Sequence, residues 1–383
     1  MQRVYGFSEK LLTQDSINYD VAPHTNNIIS VTIGGSTLLI GEDYTDCQFV
    51  KKYSVGTIRN IFTYDSALFH TGYNGIYQAL RRYNISTDTF DSVMQTPDNG
   101  SIYDYKLYNN YCYLAHTGSA GHERWHNPSG AHDDITYYGV LTSTSRIYSL
   151  GTYGDNILHG GGSSASNTAA MGISSTGASS SFVKFWKISD YYEPGHPKYD
   201  TPYVLSINEF KNDLYWGTGR SQVWRDKDGY KEMVHEFDAS DANYWVRPML
   251  VWKNNLYASN SYDMAGSQSG DDWISINKPV DCAYITRFYQ SGDGESFIIT
   301  GRDTAGAAAA WSTSDFISYT KFYSNPDYSY FYCFYDSGVD LYFGTNDGVL
   351  KVSTVRLPKS RLQPGPRVEK VADIRHLVLR EVA

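Results

Sequence analysis

A short hairpin signature returns seven times along the 383 residues at nearly even spacing, and it constrains the fold more than any other feature. Two copies are close to identical: Phe210-Lys211-Asn212-Asp213-Leu214-Tyr215 and Trp252-Lys253-Asn254-Asn255-Leu256-Tyr257. Leu107-Tyr108-Asn109-Asn110-Tyr111-Cys112 and Tyr153-Gly154-Asp155-Asn156-Ile157-Leu158 follow the same plan, and looser copies lie at 64–69, 291–297 and 335–342. Asn, Asp and Gly accept the positive φ that a two-residue hairpin turn needs to match strand twist, so each copy predicts a turn between two strands, a and b. The first apolar residues of the b strands are Leu68, Tyr111, Ile157, Leu214, Leu256, Phe297 and Leu341, giving steps of 43, 46, 57, 42, 41 and 44 residues. A period of that length is one four-stranded blade. The spacing therefore predicts an all-β fold, a seven-bladed β-propeller of four-stranded antiparallel blades.

Several copies turn again at Gly after strand b and enter a third strand, as in Leu341-Tyr342-Phe343-Gly344-Thr345-Asn346-Asp347-Gly348-Val349-Leu350-Lys351. From about Cys47 to Thr354 this layout resembles that of WD-repeat and kelch-type propellers. The Gly-His, Trp-Asp and double-glycine signatures of those families are absent, so the resemblance implies a fold and no function. Residues 47–53 read as a d strand, since Phe49 precedes Leu68 by about the distance at which Phe90 precedes Tyr111. The last blade has a, b and c strands without a clear d, so the N-terminal strand is expected to complete it and remove an edge. A further hairpin at Ile28–Gly41 would raise the count to eight blades if it formed a partial blade. The expected organisation is an N-terminal arm with a hairpin (1–46), the propeller (47–354) and a basic C-terminal arm (355–383). Arg356, Arg361, Arg367 and Arg375 are the candidates for gripping a partner.

A net charge of −9 argues against a nucleic-acid protein, whose surface should carry a basic field. No run of 18 apolar residues predicts a membrane span, and the N-terminus lacks the apolar core of an export signal. Cys47, Cys112, Cys282 and Cys333 are far apart and read as free buried thiols of a reducing compartment. No cofactor is expected.

Stretches that vary between blades while the strands keep their period are where a propeller places specificity. Three are read as b–c loops: His116–Asp134, Gly160–Ser181 and Gly301–Ala310. The first supplies binding candidates His116, His122, Glu123, Trp125, His126, His132 and Asp133, and the third supplies Arg302. Imidazole and carboxylate suit zinc, which makes His122, His126 and His132 weak metal candidates; without H-E-x-x-H spacing, a hydrogen-bonding surface loop is the preferred reading and no metal is assigned. Ser86–Phe90, Ser267–Trp273 and Ser312–Tyr319 are faintly similar to the Asp boxes of sialidase propellers, and Trp273 joins the binding candidates through this stretch. Asp boxes are structural turns, so no catalytic residue is assigned from them, and no carboxylate-gripping arginine cluster can be picked out. His159-Gly160-Gly161-Gly162 reads as a turn, because no nucleophile elbow accompanies it. Tyr328–Tyr335 reads as core and inter-blade packing in preference to a sugar platform.

The 35 tyrosines and the Ser-, Gly- and Asn-bearing loops suit an adaptable recognition surface. The function expected is a non-enzymatic structural or binding propeller of a bacteriophage virion, in its tail or on its surface. It would be made in the host cytoplasm, contact other virion proteins or neighbouring subunits through its arms, and engage a host-surface glycan or protein. The alternatives are a sialidase-like glycosidase or lyase, and a cytoplasmic peptide-binding scaffold.

Overall fold

Four of the a–b turns place two adjacent residues in the left-handed region, each pair including an Asn or Asp that accepts it. Both central residues have positive φ at Asp65 and Ser66 (48° and 59°), Asn109 and Asn110 (47° and 62°), Lys211 and Asn212 (53° and 65°), and Lys253 and Asn254 (44° and 58°). This is the hairpin geometry whose twist matches that of the flanking strands.

The structure is a computed structural model that describes residues 19–356 apart from 25–27, 34–35, 42–45, 54–55, 74–77, 85, 96–100, 117–121, 127–130, 136–145, 163–168, 179–180, 194–195, 197–202, 239–244 and 339. The chain divides into two units, residues 1–54, 335–343 and 349–383 in one and residues 55–334 and 344–348 in the other.

The first unit begins with β1 (Tyr19–His24), β2 (Ile28–Ile33), β3 (Ser36–Gly41) and β4 (Asp46–Tyr53). The second contains six four-stranded sheets in succession. They are β5–β8 (Ile58–Tyr64, Ala67–Tyr73, Gln78–Asn84, Thr89–Gln95) and β9–β12 (Ile102–Tyr108, Tyr111–His116, His122–His126, Ala131–Ile135). Next come β13–β16 (Arg146–Tyr153, Asn156–Gly162, Ala170–Ser174, Val183–Lys187) and β17–β20 (Val204–Phe210, Asp213–Thr218, Gln222–Lys227, Tyr230–Glu236). The last two are β21–β24 (Met249–Trp252, Asn255–Ser259, Met264–Ser267, Trp273–Ile276) and β25–β28 (Cys282–Gln290, Phe297–Asp303, Ala308–Thr313, Thr320–Asn325). The chain then forms β29 (Cys333–Asp336), β30 (Asp340–Thr345) and β31 (Gly348–Arg356). Among the described residues the strands pair antiparallel with their neighbours in sequence, with one exception: β4 pairs with β31, from Val349 opposite Tyr53 to Arg356 opposite Asp46. The N-terminal strand is thus the fourth strand of the last sheet, as expected for a seven-bladed β-propeller.

The eight-blade alternative is corrected by the same sheet. Its order is β1-β2-β3-β4-β31-β30-β29, so the hairpin at Ile28–Gly41 widens the seventh sheet and does not begin another. Arg356, read from sequence as part of the C-terminal arm, is the last residue of β31. Arg361, Arg367 and Arg375 lie outside the described residues.

In the second unit the core lies between consecutive sheets. Phe62, Phe69 and Leu80 of the first sheet pack with Ile102, Cys112 and Leu114 of the second. Trp186 of the third sheet packs with Trp216 and Trp224 of the fourth, with ring centroids 5.4 and 5.3 Å apart. Strand alternation explains this layering, since each inner strand sends side chains to both of its neighbouring sheets. Cys112, Cys282 and Cys333 are free and buried, as expected.

Candidate functional site

The second unit has one chemical concentration that the strands build directly. At or just before the start of strand a, successive repeats place Arg59, Tyr103, Tyr148, Tyr203, Arg247, Tyr284 and Tyr332. Their side chains meet in a chain of contacts. The Tyr148 ring lies 4.9 Å from that of Tyr103 and 4.5 Å from that of Tyr203, and Trp245 lies 6.2 Å from Tyr203. The Arg247 guanidinium stacks at 5.4 Å over both Trp245 and Tyr103. On the other side, Arg59 stacks over Tyr103 at 4.5 Å and over Tyr332 at 5.2 Å, and Tyr330 links Tyr332 to Tyr284. Strand a is the innermost strand of a propeller blade, so equivalent starting positions converge on the central channel.

Arg59, Tyr103, Arg247, Thr286, Arg287 and Tyr332 line a small space that is partly open to solvent. Arg287, from the sixth sheet, donates to the Tyr103 carbonyl oxygen of the second sheet at 2.8 Å, which ties opposite sides of the channel together. Asp104 lies 3.9 Å from the Arg287 guanidinium and accepts the Leu150 amide at 2.9 Å. Burial raises the Asp104 carboxyl above its ordinary value, and Arg287 opposes that rise. Burial, with Arg59 and Arg287 alongside, brings the Arg247 guanidinium down to about 10. It remains protonated at neutral pH, so three guanidinium charges face one carboxylate. Among the described residues, neither Arg59 nor Arg247 has an ion-pair partner. The rings neutralise no charge, and a guanidinium's N–H groups suit in-plane hydrogen bonds to an anion.

The residues singled out from sequence fare differently. The His116–Asp134 stretch is not one loop: His122–His126 is β11 and Ala131–Ile135 is β12, the third and fourth strands of the second sheet. His116 ends β10. In register, Trp125 stands opposite His132, Glu123 opposite Asp134, and Asp133 opposite Arg124, while His126 faces Ala131 and His122 faces Ile135. Apolar-polar alternation is weak in this stretch, which hid the strands. The side chains of His116, His122, Glu123, Trp125, His126, His132 and Asp133 lie outside the described ones, and no metal-holding cluster occurs among those described. Gly160–Gly162 ends β14, so the run from His159 is strand and not a turn, and Gly301–Ala310 is mostly β26 and β27. Arg302, on β26, stacks over Tyr330 at 5.0 Å and so joins the rim of the channel. Trp273 does not; it begins the outer strand β24 and stacks on His235 of the neighbouring outer strand at 5.2 Å. In the stretch from Tyr328, Phe331 and Cys333 are core as expected, while Tyr330 and Tyr332 reach the rim.

All three Asp-box-like stretches lie at turns between the third and fourth strands of a sheet. In the fifth sheet, Ser267 Oγ accepts the Gly270 amide at 2.8 Å, and Gly270 has φ +91°. A Cβ there would lie 1.9 Å from the Tyr215 hydroxyl of the preceding sheet. The third sheet repeats the device with Ser174 and Gly177 against Tyr113. In the sixth, Thr313 accepts the Phe316 amide and Phe316 packs on Tyr257 at 4.6 Å. These turns cover a tyrosine of the neighbouring blade, which is a structural duty.

The rim residues were missed in the sequence, although a signal existed. Counted back from the b-strand residues, Arg59, Tyr148, Arg247 and Tyr332 all lie nine positions earlier, and Tyr103 lies eight earlier. Aligning the repeats would have shown a column of Arg and Tyr.

No protein-family model matches the chain, and no curated protein matches it. Solved structures do match. A virginiamycin B lyase from Staphylococcus aureus superposes with a TM-score of 0.61 at 10% identity, covering 80% of this chain and 99% of that one. A streptogramin B lyase gives 0.61 at 8% identity, covering 80% and 98%. The extracellular domain of a hybrid two-component system from B. thetaiotaomicron gives 0.59 at 12% identity; the match covers 79% of this chain and 39% of that longer one. At such identities the likeness is one of fold alone.

Proposed function

We propose that this chain is a non-enzymatic binding propeller that takes its ligand at the channel rim of the second unit. The observation that carries the reading is that repeat after repeat delivers an aromatic ring or a guanidinium to the same rim. Aromatic faces and stacked arginines suit the apolar faces and polar edges of a glycan. The one carboxylate beside them, Asp104, is engaged by Leu150 and Arg287, which fits a positioning duty better than proton transfer. We further propose that the ring belongs to a bacteriophage virion, with the ligand on a host surface. The widened seventh sheet supports this part. Among the described residues β1 is its last strand, and an edge strand is a place where a neighbouring subunit can add one of its own.

Screening the protein against an array of cell-surface glycans tests the binding reading, with Tyr148→Ala and Trp245→Ala as rim variants. Binding that falls in both variants is expected. Binding that ignores both rules out the rim, and turnover of a bound glycan replaces this reading with that of an enzyme. Electron microscopy of the native particle tests the virion part.

A further inference from the structure

We infer that the cluster formed by Arg59, Arg247 and Arg287 is an anion-binding subsite, taking a carboxylate or phosphate group of the ligand. The inference rests on the rim reading above and adds the chemistry of the group held there. Three guanidinium groups from the first, fifth and sixth sheets converge around Tyr103 and line one small space that is partly open to solvent. Like charges brought together in a partly enclosed place repel one another, and the field there favours an entering anion. The cluster has little internal compensation. Asp104 is 3.9 Å from Arg287 and already accepts a backbone amide, while Arg59 and Arg247 have no carboxylate partner among the described residues.

The geometry selects the form of the ligand as well as its sign. Contact with the rings of Tyr103, Tyr332 and Trp245 holds the Arg59 and Arg247 head groups in place, so less side-chain freedom is lost on binding. A guanidinium offers paired N–H donors with the spacing of carboxylate or phosphate oxygens. Thr286, in the same lining, gives its hydroxyl proton to backbone carbonyl oxygens of Thr300 and Phe331, so the donors for an anion are those of the arginines. Arg287 is spent on crossing the channel to Tyr103, so its part is to contribute charge, and Arg59 and Arg247 are the groups free to grip.

The test is calorimetric titration of the full chain at low and moderate salt with glucuronate, N-acetylneuraminate, inorganic phosphate and neutral glucose. The protein is compared with an Arg59→Gln, Arg247→Gln double variant and with the corresponding double lysine variant. Thermal melting confirms that each variant is folded. The expected result is saturable anion binding that weakens with salt, falls roughly tenfold or more in the glutamine variant and recovers partly in the lysine variant. Binding of the sugar acids without phosphate assigns a carboxylated sugar, and binding of phosphate alone assigns a phosphorylated ligand. No saturation by any anion, or equal affinity in the glutamine variant, overturns the inference. The rim reading survives that outcome if array binding still depends on Tyr148 and Trp245, so the two fail separately.

Discussion

Acid should weaken this protein well above the pH at which carboxylates titrate, because two histidines are sealed inside the blades. His70 on β6 is 0% exposed with its ring edge-on to Phe90, and His159 on β14 is 1% exposed and stacked on Phe182. Burial, with Arg81 nearby in the case of His70, lowers each from 6.5 to about 3. Below pH 6.5 the unfolded chain takes up a proton on each ring while the folded protein does not. The unfolded state then binds more protons, and stability falls as pH falls until the folded rings titrate near 3. Below pH 6.5 each pH unit removes about 1.4 kcal/mol per histidine and above it little, so between pH 7.5 and pH 5 the pair costs about 4 kcal/mol. That is a large share of the roughly 5–15 kcal/mol typical of folded domains. Asp271 and Asp303 are held below the ordinary carboxylate value, so the stability they contribute is lost only at lower pH. Urea unfolding followed by tryptophan fluorescence across pH 5–7.5 measures the slope, with the His70→Leu, His159→Leu double variant as reference. The native protein should lose about 4 kcal/mol that the variant keeps. Parallel pH profiles for the two proteins would refute the reasoning.

Three further outcomes follow from the structure. Gly270→Ala forces a Cβ to 1.9 Å from the Tyr215 hydroxyl at φ +91°, so it should destabilise by about 2 kcal/mol or more, and adding Tyr215→Phe should recover part of the loss; thermal melting of the single and double variants checks this. Arg225, 5% exposed, bonds Asp271 at 2.5 Å and Glu232, joining the fourth and fifth sheets. Its replacement by Met should cost about 1–3 kcal/mol in urea titration, since the carboxylates left behind reach solvent. Removing residues 1–53 deletes β4 and exposes the edge of β31, so the truncated protein should aggregate or melt at lower temperature, as light scattering during a thermal ramp would report.

What the sequence determined by itself was everything that local physics repeats. The hairpin residues Asn109–Asn110, Lys211–Asn212 and Lys253–Asn254 mark turns because positive φ is a property of two or three adjacent residues. Seven such turns at blade spacing then imply seven sheets, and the shortage of a last d strand implies that 47–53 supplies it. The segments 122–126 and 131–135 escaped because their polar residues lack strand alternation, and only their pairing partners make them strands. The hairpin at 28–41 could not be counted correctly from sequence, since joining the seventh sheet or starting another depends on which edge it meets. The site was beyond local reading for the same reason. Arg59, Arg247 and Arg287 are separated by well over two hundred residues at the widest, and each alone is an ordinary arginine in or just before a strand. Only the convergence of the inner strands brings them onto Tyr103, and only there do three isolated charges become one field.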